Sequence, residues 1–166
     1  MNPECDPAAG LRSLEEAVVW RNELRRQGTR LVVTNGCFDI MHRGHAFYLH
    51  EARQLGDALL ILMNSDASTR ALKGDTRPII GENDRAYMLN SLSAVDCVVL
   101  FDGSRCHREL AAINPDIYVK GGDYTIDKLD PGERSALLDG GTEIVFKPFV
   151  PGLSTTTIID RIKKLG

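Results

Sequence analysis

Two histidines, His42 and His45, bracket Gly44 at the end of the stretch TNGCFDIMHRGH (Thr34 to His45). An apolar run, Arg30 to Asn35, leads into this stretch, and a helix-forming segment, His45 to Gly56, follows it. A helix start presents free backbone N–H groups and the positive end of the helix dipole. Two imidazole donors added there make a site suited to polyphosphate. Gly36 lets the backbone approach a ligand with no side chain in the way. The stretch is neither a dinucleotide fingerprint, since GxGxxG is absent, nor a P-loop, since GxxxxGK[ST] is absent. As zinc ligands with Cys37, the two histidines lack a fourth partner of suitable spacing.

Further residues of the same chemical kind recur along the chain. Lys73, followed by Gly74, reads as a loop lysine able to swing onto phosphate, or as a solvated one. Arg77 and Arg85 are cations near the same rim, and Arg85 reads equally as a bridge to a neighbour. Asp66 either holds acceptor hydroxyls or caps the piece that follows it. Lys120 ends an apolar strand, where an ammonium needs a partner. Gly121 and Gly122 after it permit close backbone approach or a simple turn. Ser154, Thr155, Thr156 and Thr157 open the last helix, as ordinary caps or as a hydroxyl cradle for pyrophosphate.

These residues must be positioned by alternating strands and helices. Strands are expected at Arg30 to Asn35, Asp57 to Ser65, Asp96 to Phe101, Asp116 to Lys120 and Thr142 to Lys147. Ser13 and Glu16 form a capping box for the first helix, which Gly28 closes. Helices follow at Glu82 to Leu92, Ser104 to Asn114 and Leu153 to Gly166. Another is bounded by Asp130 at N-cap, Pro131 at N1, Glu133 at N3 and Gly140–Gly141. Residues 66–81 read as a loop with at most a short helical piece. The strands are apolar almost throughout. The pattern therefore predicts a single α/β domain, a parallel sheet of about five strands with helices on both faces. Ligands in such sheets sit beyond the carboxyl ends of the strands. The loops after Asn35, Asn64, Phe101, Lys120 and Lys147 are therefore the ones to examine.

The chain has 166 residues, 43% of them hydrophobic, and a net charge of −3. No basic field is available to hold nucleic acid, and no apolar run reaches the roughly 20 residues of a membrane span. Cys5, Cys37, Cys97 and Cys106 form no CxxC pair; with no signal peptide evident, a reducing cytoplasm is expected. Residues 1–28 are expected to form a tail, MNPECDPAAG, and a helix, and residues 29–166 the catalytic domain.

The stretch ending HRGH resembles the HxGH signature of the cytidylyltransferase-like nucleotidyltransferases. NSDASTRALKGDTRPI, SAVDCVVLF, PDIYVKGGDY and LSTTTII resemble successive blocks of the branch that adenylylates a heptose 1-phosphate. The similarity runs from about Arg30 to Leu165. It implies a Rossmann-like fold of the HUP type, with ATP and a sugar phosphate as small-molecule substrates, Mg²⁺ arriving with ATP, and a homodimer.

The resemblance also implies roles. His42 and His45 would stabilise phosphate and transition state, and Lys73 would neutralise the attacking phosphate. Asn35, Gly36, Cys37, Phe38 and Gly44 would shape the nucleotide approach. Lys120, Gly121, Asp123 and Tyr124 would frame the nucleoside, and Ser154, Thr155 and Thr156 would take the β- and γ-phosphates. Asp39, Asp66, Arg77 and Arg85 would face the acceptor. Where many relatives carry an arginine before the last block, this chain reads FVPGLSTT, leaving that charge to Lys147 or Lys73. Cys37 has no evident base, so direct in-line attack by the acceptor phosphate is expected. A glycerol-3-phosphate cytidylyltransferase, an FMN adenylyltransferase and a non-catalytic nucleotide-binding regulator are the alternatives.

Overall fold

Alternate residues of the central strands face opposite sides, and both sides are apolar. In the computed structural model, which describes residues 10–148, 152 and 154–165, this pattern produces a parallel sheet between two helical layers. The strands are β1 (Leu11–Arg12), β2 (Leu31–Gly36), β3 (Ala58–Asn64), β4 (Cys97–Phe101), β5 (Ile117–Gly121) and β6 (Glu143–Lys147). The helices are α1 (Leu14–Arg26), α2 (Arg43–Arg53), α3 (Asp66–Lys73), α4 (Glu82–Asn90), α5 (His107–Ile113), α6 (Pro131–Asp139) and α7 (Thr155–Lys163). Leu31, Val33, Leu60, Leu62, Val99 and Tyr118 pack on one face with Ala17 of α1, Leu110 of α5 and Leu137 of α6. Val32, Leu59, Ile61, Met63, Val98 and Val119 pack on the other with Leu49 of α2 and Leu89 of α4.

The strand order is β1-β4-β3-β2-β5-β6, with every pair parallel. The sheet thus has six strands rather than about five. The additional one is the two-residue β1, which pairs Leu11 and Arg12 with Val98 and Val99 at the edge. So short a strand has no periodicity to betray it. Aspartates fix the register at the opposite rim. Asp57 accepts from the N–H of Arg30, Asp96 from that of Leu59, and Asp116 from that of Leu31.

The segment expected to be mainly loop contains the eight-residue helix α3. Ser65 caps it by accepting from the Ser68 N–H, and Ser68 and Thr69 are buried against the sheet. The Asp66 N–H donates to Glu82 at 2.6 Å. A polar sequence becomes helical because distant partners satisfy its polar groups. At α1 and α6 the capping expected from sequence is present: Ser13 and Glu16 exchange hydrogen bonds, and Asp130 accepts from Gly132 and Glu133. Most of the tail MNPECDPAAG, and residues 149–151 and 153 of FVPGLSTT, lie outside the described residues. Among the described residues no helix is long and apolar enough to cross a membrane.

Candidate active site

β2 pairs with β3 on one side and β5 on the other. The chain proceeds from β2 through β3 to β4 on one side, then returns to β5 on the other. A crevice therefore opens at the carboxyl ends of β2 and β5, where such sheets bind ligands. A cleft of about 520 Å³ lies there.

The histidines enter it through the start of α2. His42 is the N-cap, and its Nδ1 accepts from the Gly44 N–H at 3.1 Å. In the neutral ring the proton is therefore on Nε2. His45 stacks on His42 with ring centres 4.0 Å apart, and the Phe38 ring meets His45 at 5.4 Å, near edge-on. Phe38 has φ +49°, a conformation a bulky side chain adopts only when its surroundings impose it. Gly36 proves to serve this ring: a Cβ at position 36 would lie 3.0 Å from it. Burial, and then the adjacent His42, push His45 down to about 4; burial lowers His42 too. His45 is thus neutral at pH 7, an N–H donor rather than a cation.

The opposite wall comes from α7. Ser154 caps it, accepting from the Thr157 N–H at 3.0 Å. The Thr155 hydroxyl donates to the Ile40 carbonyl at 3.4 Å, and Thr155 and Thr156 line the same cleft as His45. The two helix starts therefore share one cavity.

Three carboxylates on the wall each hold a cation: Asp39 holds Arg77, Asp130 holds Arg105, and Glu133 stands 3.8 Å from Lys120. Asp39, 3% exposed, also accepts from the N–H groups of Ile79 and Ile80, pinning that segment over the cleft. Lys73 lies at the C-terminal end of α3, not in a loop, and has no carboxylate partner among the described residues. It is the cation best placed to meet a bound anion. Lys120 donates to Asn35 Oδ1 at 2.7 Å and to the Tyr118 hydroxyl at 3.1 Å, which satisfies its need for partners.

The geometry revises several expectations. Arg85 does not face the acceptor. It is 1% exposed and donates to the carbonyls of Cys37, Asn64 and Ile80 and to Asp66. It thereby ties together the segments after β2, after β3 and before α4. Asp66 is spent on that pair rather than on a sugar. The Asp123 side chain is fully exposed, stands 3.8 Å from the ammonium of Lys128, and is not itself part of the cleft wall, which Lys128 lines. Lys147 pairs with Glu51 and is absent from the wall, whereas Lys73 lines it. His42, Gly44 and Ser154 shape the helix starts from behind the lining. Cys37, Gly121 and Tyr124 do line the cavity.

Other lining residues carry no such signal in the sequence reading: Tyr48, Asn64, Arg105 and Glu133. Tyr48 follows His45 by one helical turn and donates to the Val119 carbonyl at 3.0 Å, so helical spacing from His45 could have flagged it. Asn64 ends β3 and Arg105 follows β4, at strand ends that the carboxyl-end rule marks. Glu133 carried only a helix-capping signal.

Residues 33–161 match the family model described as cytidylyltransferase-like. The chain belongs to the cytidylyltransferase-like family. As a member it is a nucleotidyltransferase, and the start of α2 carries its HxGH signature, His42 to His45. Among its relatives are the Bifunctional protein HldE of Geotalea uraniireducens (strain Rf4), 44% identical over 95% of this chain and 32% of the relative, and that of Proteus mirabilis (strain HI4320), 48% identical over 84% and 29%. The chain thus spans about a third of the length of these curated relatives. The crystal structure of the lipopolysaccharide core biosynthesis protein from Thermoplasma volcanium GSS1 aligns with a TM-score of 0.59 and 31% identity, covering 74% of this chain and 98% of that one.

Proposed function

We propose that this nucleotidyltransferase moves AMP from ATP to a heptose 1-phosphate, giving ADP-heptose and pyrophosphate. The observation that carries the reading is the single cleft shared by His45, Thr155 and Thr156, with Lys73, unpaired among the described residues, on its wall. The HldE relatives, 44% and 48% identical over most of the chain, support the choice of acceptor.

The acceptor phosphate oxygen is already anionic and needs no general base. The obstacle is repulsion between an anion and a polyanion. Catalysis is then alignment together with donors fixed where charge develops. His45 and the start of α2 donate to the phosphates, and Thr155, Thr156 and the start of α7 take the departing pyrophosphate. Lys73 neutralises the attacking phosphate, while Gly121 and Tyr124 frame the nucleoside. The bond from the α-phosphorus to the bridging oxygen breaks as the bond to the acceptor oxygen forms, and that bridging oxygen leaves on pyrophosphate. Mg²⁺ arrives as part of the MgATP substrate, held by phosphates and water.

Two expectations accompany the reading: a homodimer, as the family resemblance implies, and a cytoplasmic location, which suits the free thiols of Cys37, Cys97 and Cys106. The test is pyrophosphate release with ATP or CTP against heptose 1-phosphate, glycerol 3-phosphate and FMN. Release with ATP and the heptose phosphate is expected. Release only with CTP, or only with another acceptor, refutes the reading. ATP binding without release from any acceptor points to a regulator.

A further inference from the structure

The mechanism above leaves one buried cleft carboxylate without a task. Glu133, 3% exposed, sits on the wall from the first turn of α6. Its Oε1 accepts from both the N–H of Cys106, at 3.2 Å, and the Cys106 thiol, at 3.3 Å. Its Oε2 has no hydrogen-bond partner among the described residues; Lys120 Nζ stands 3.8 Å away, beyond hydrogen-bond reach. A carboxylate withdrawn from water with acceptor capacity unfilled is costly. Lys120 is held in place by Asn35 and Tyr118, so the gap is not closed by swinging the ammonium freely.

We infer that Glu133 Oε2 and Lys120 Nζ form a hydroxyl-reading subsite for the acceptor sugar, Glu133 accepting from one hydroxyl while Lys120 donates to its neighbour. This rests on the proposed sugar-phosphate acceptor and assigns the residues that select it. A fixed acceptor beside a fixed donor matches adjacent hydroxyls, each of which can give one hydrogen bond and take another. The surroundings agree: the Tyr118 hydroxyl, Asn35 and the Arg105–Asp130 pair are polar. Lys120 is thereby reassigned from nucleoside to acceptor.

Glu133→Gln is the informative substitution. Both Cys106 donors point at one carboxylate oxygen, so the glutamine carbonyl takes that place and its NH₂ faces Lys120, turning an acceptor into a donor. KM for ATP and for the acceptor are measured separately, with sugar 1-phosphates each lacking one hydroxyl as probes. Wild type should lose about 10- to 100-fold in kcat/KM with one particular deoxy acceptor, the range of a hydrogen bond to a charged group. E133Q should show acceptor KM raised about tenfold or more, an ATP KM within about twofold of wild type, and no penalty for that same deoxy sugar. A purely structural Glu133, which caps α5 through Cys106, would lower thermal stability and leave the pattern of deoxy discrimination intact; that result overturns the subsite. Glu133→Asp, which keeps the charge, should be intermediate, and it carries the test if E133Q does not fold. Wild type inactive with every sugar 1-phosphate would sink the acceptor reading itself, and the subsite with it. Active wild type with unchanged discrimination in the variants would remove the subsite alone.

Discussion

The Thr155 hydroxyl donates to the carbonyl of Ile40, joining residues 115 positions apart. This contact fastens the start of α7 to the loop that leads into His42 and α2, and so closes that end of the cleft. Thr155→Val keeps the shape and removes the hydroxyl. A neutral hydrogen bond contributes about 1 kcal/mol, so KM for ATP should rise about fivefold with the fold retained. Steady-state kinetics at fixed acceptor measure it, and an unchanged KM would detach Thr155 from nucleotide binding.

On the proposed mechanism, His45→Ala removes a donor to developing charge. Turnover should fall about 10²- to 10³-fold, as for the loss of one preorganised donor elsewhere. Far-ultraviolet circular dichroism should be unaltered, since the His45 ring caps no backbone group. Near-normal turnover would exclude His45 from the chemistry.

The acid response follows from the same ring. The folded state holds His45 at about 4, below the 6.5 of an unperturbed histidine, through burial and then His42. Between those values the unfolded chain binds more protons than the folded one, so stability rises with pH. It is therefore lost on acidification from about 6.5 towards 4 and is unaffected by this group above 6.5. His42 is shifted in the same direction. Melting temperatures measured from about pH 4 to about pH 7 should fall on the acid side, and His45→Asn should flatten that fall. An equally steep decline in the variant would assign it to other groups.

Arg85 makes a different kind of contribution. Its guanidinium bridges three backbone carbonyls and Asp66 from a position out of reach of solvent. Arg85→Met leaves all four acceptors short of a donor, and breaking such a buried pair costs about 3–5 kcal/mol. Urea unfolding should show that loss. Arg85→Lys should recover only part of it, because an ammonium cannot fork to the same set. In either variant kcat and KM should worsen together, since the loops behind Lys73 and Cys37 lose a common anchor. Wild-type stability in Arg85→Met would refute this account.

Much of the architecture was legible locally. Capping by Ser13 with Glu16, and by Asp130 with Pro131, involves residues no more than three apart, and each helix starts where those patterns fall. β3 is buried from end to end and reads as an unbroken apolar run. Pocket positions at the ends of β2 and β5 follow from that alternation. Tertiary contact alone decided the rest. Two-residue β1 exists because β4 offers an open edge, and polar α3 is helical because Glu82 and the sheet satisfy it. Gly36, read from sequence as a ligand-approach position, lines the cleft and also makes room for the Phe38 ring. Arg85, read as a rim cation or a bridge to a neighbour, proved to be the bridge, and Glu133, read only as a capping residue, proved to be buried on the cleft wall; their partners lie 5 to 48 and 13 to 27 residues away. Periodicity and capping are short-range properties that a linear sequence displays directly. Which buried charge meets which carbonyl depends on how loops from separate strands converge, and only the folded chain brings them together.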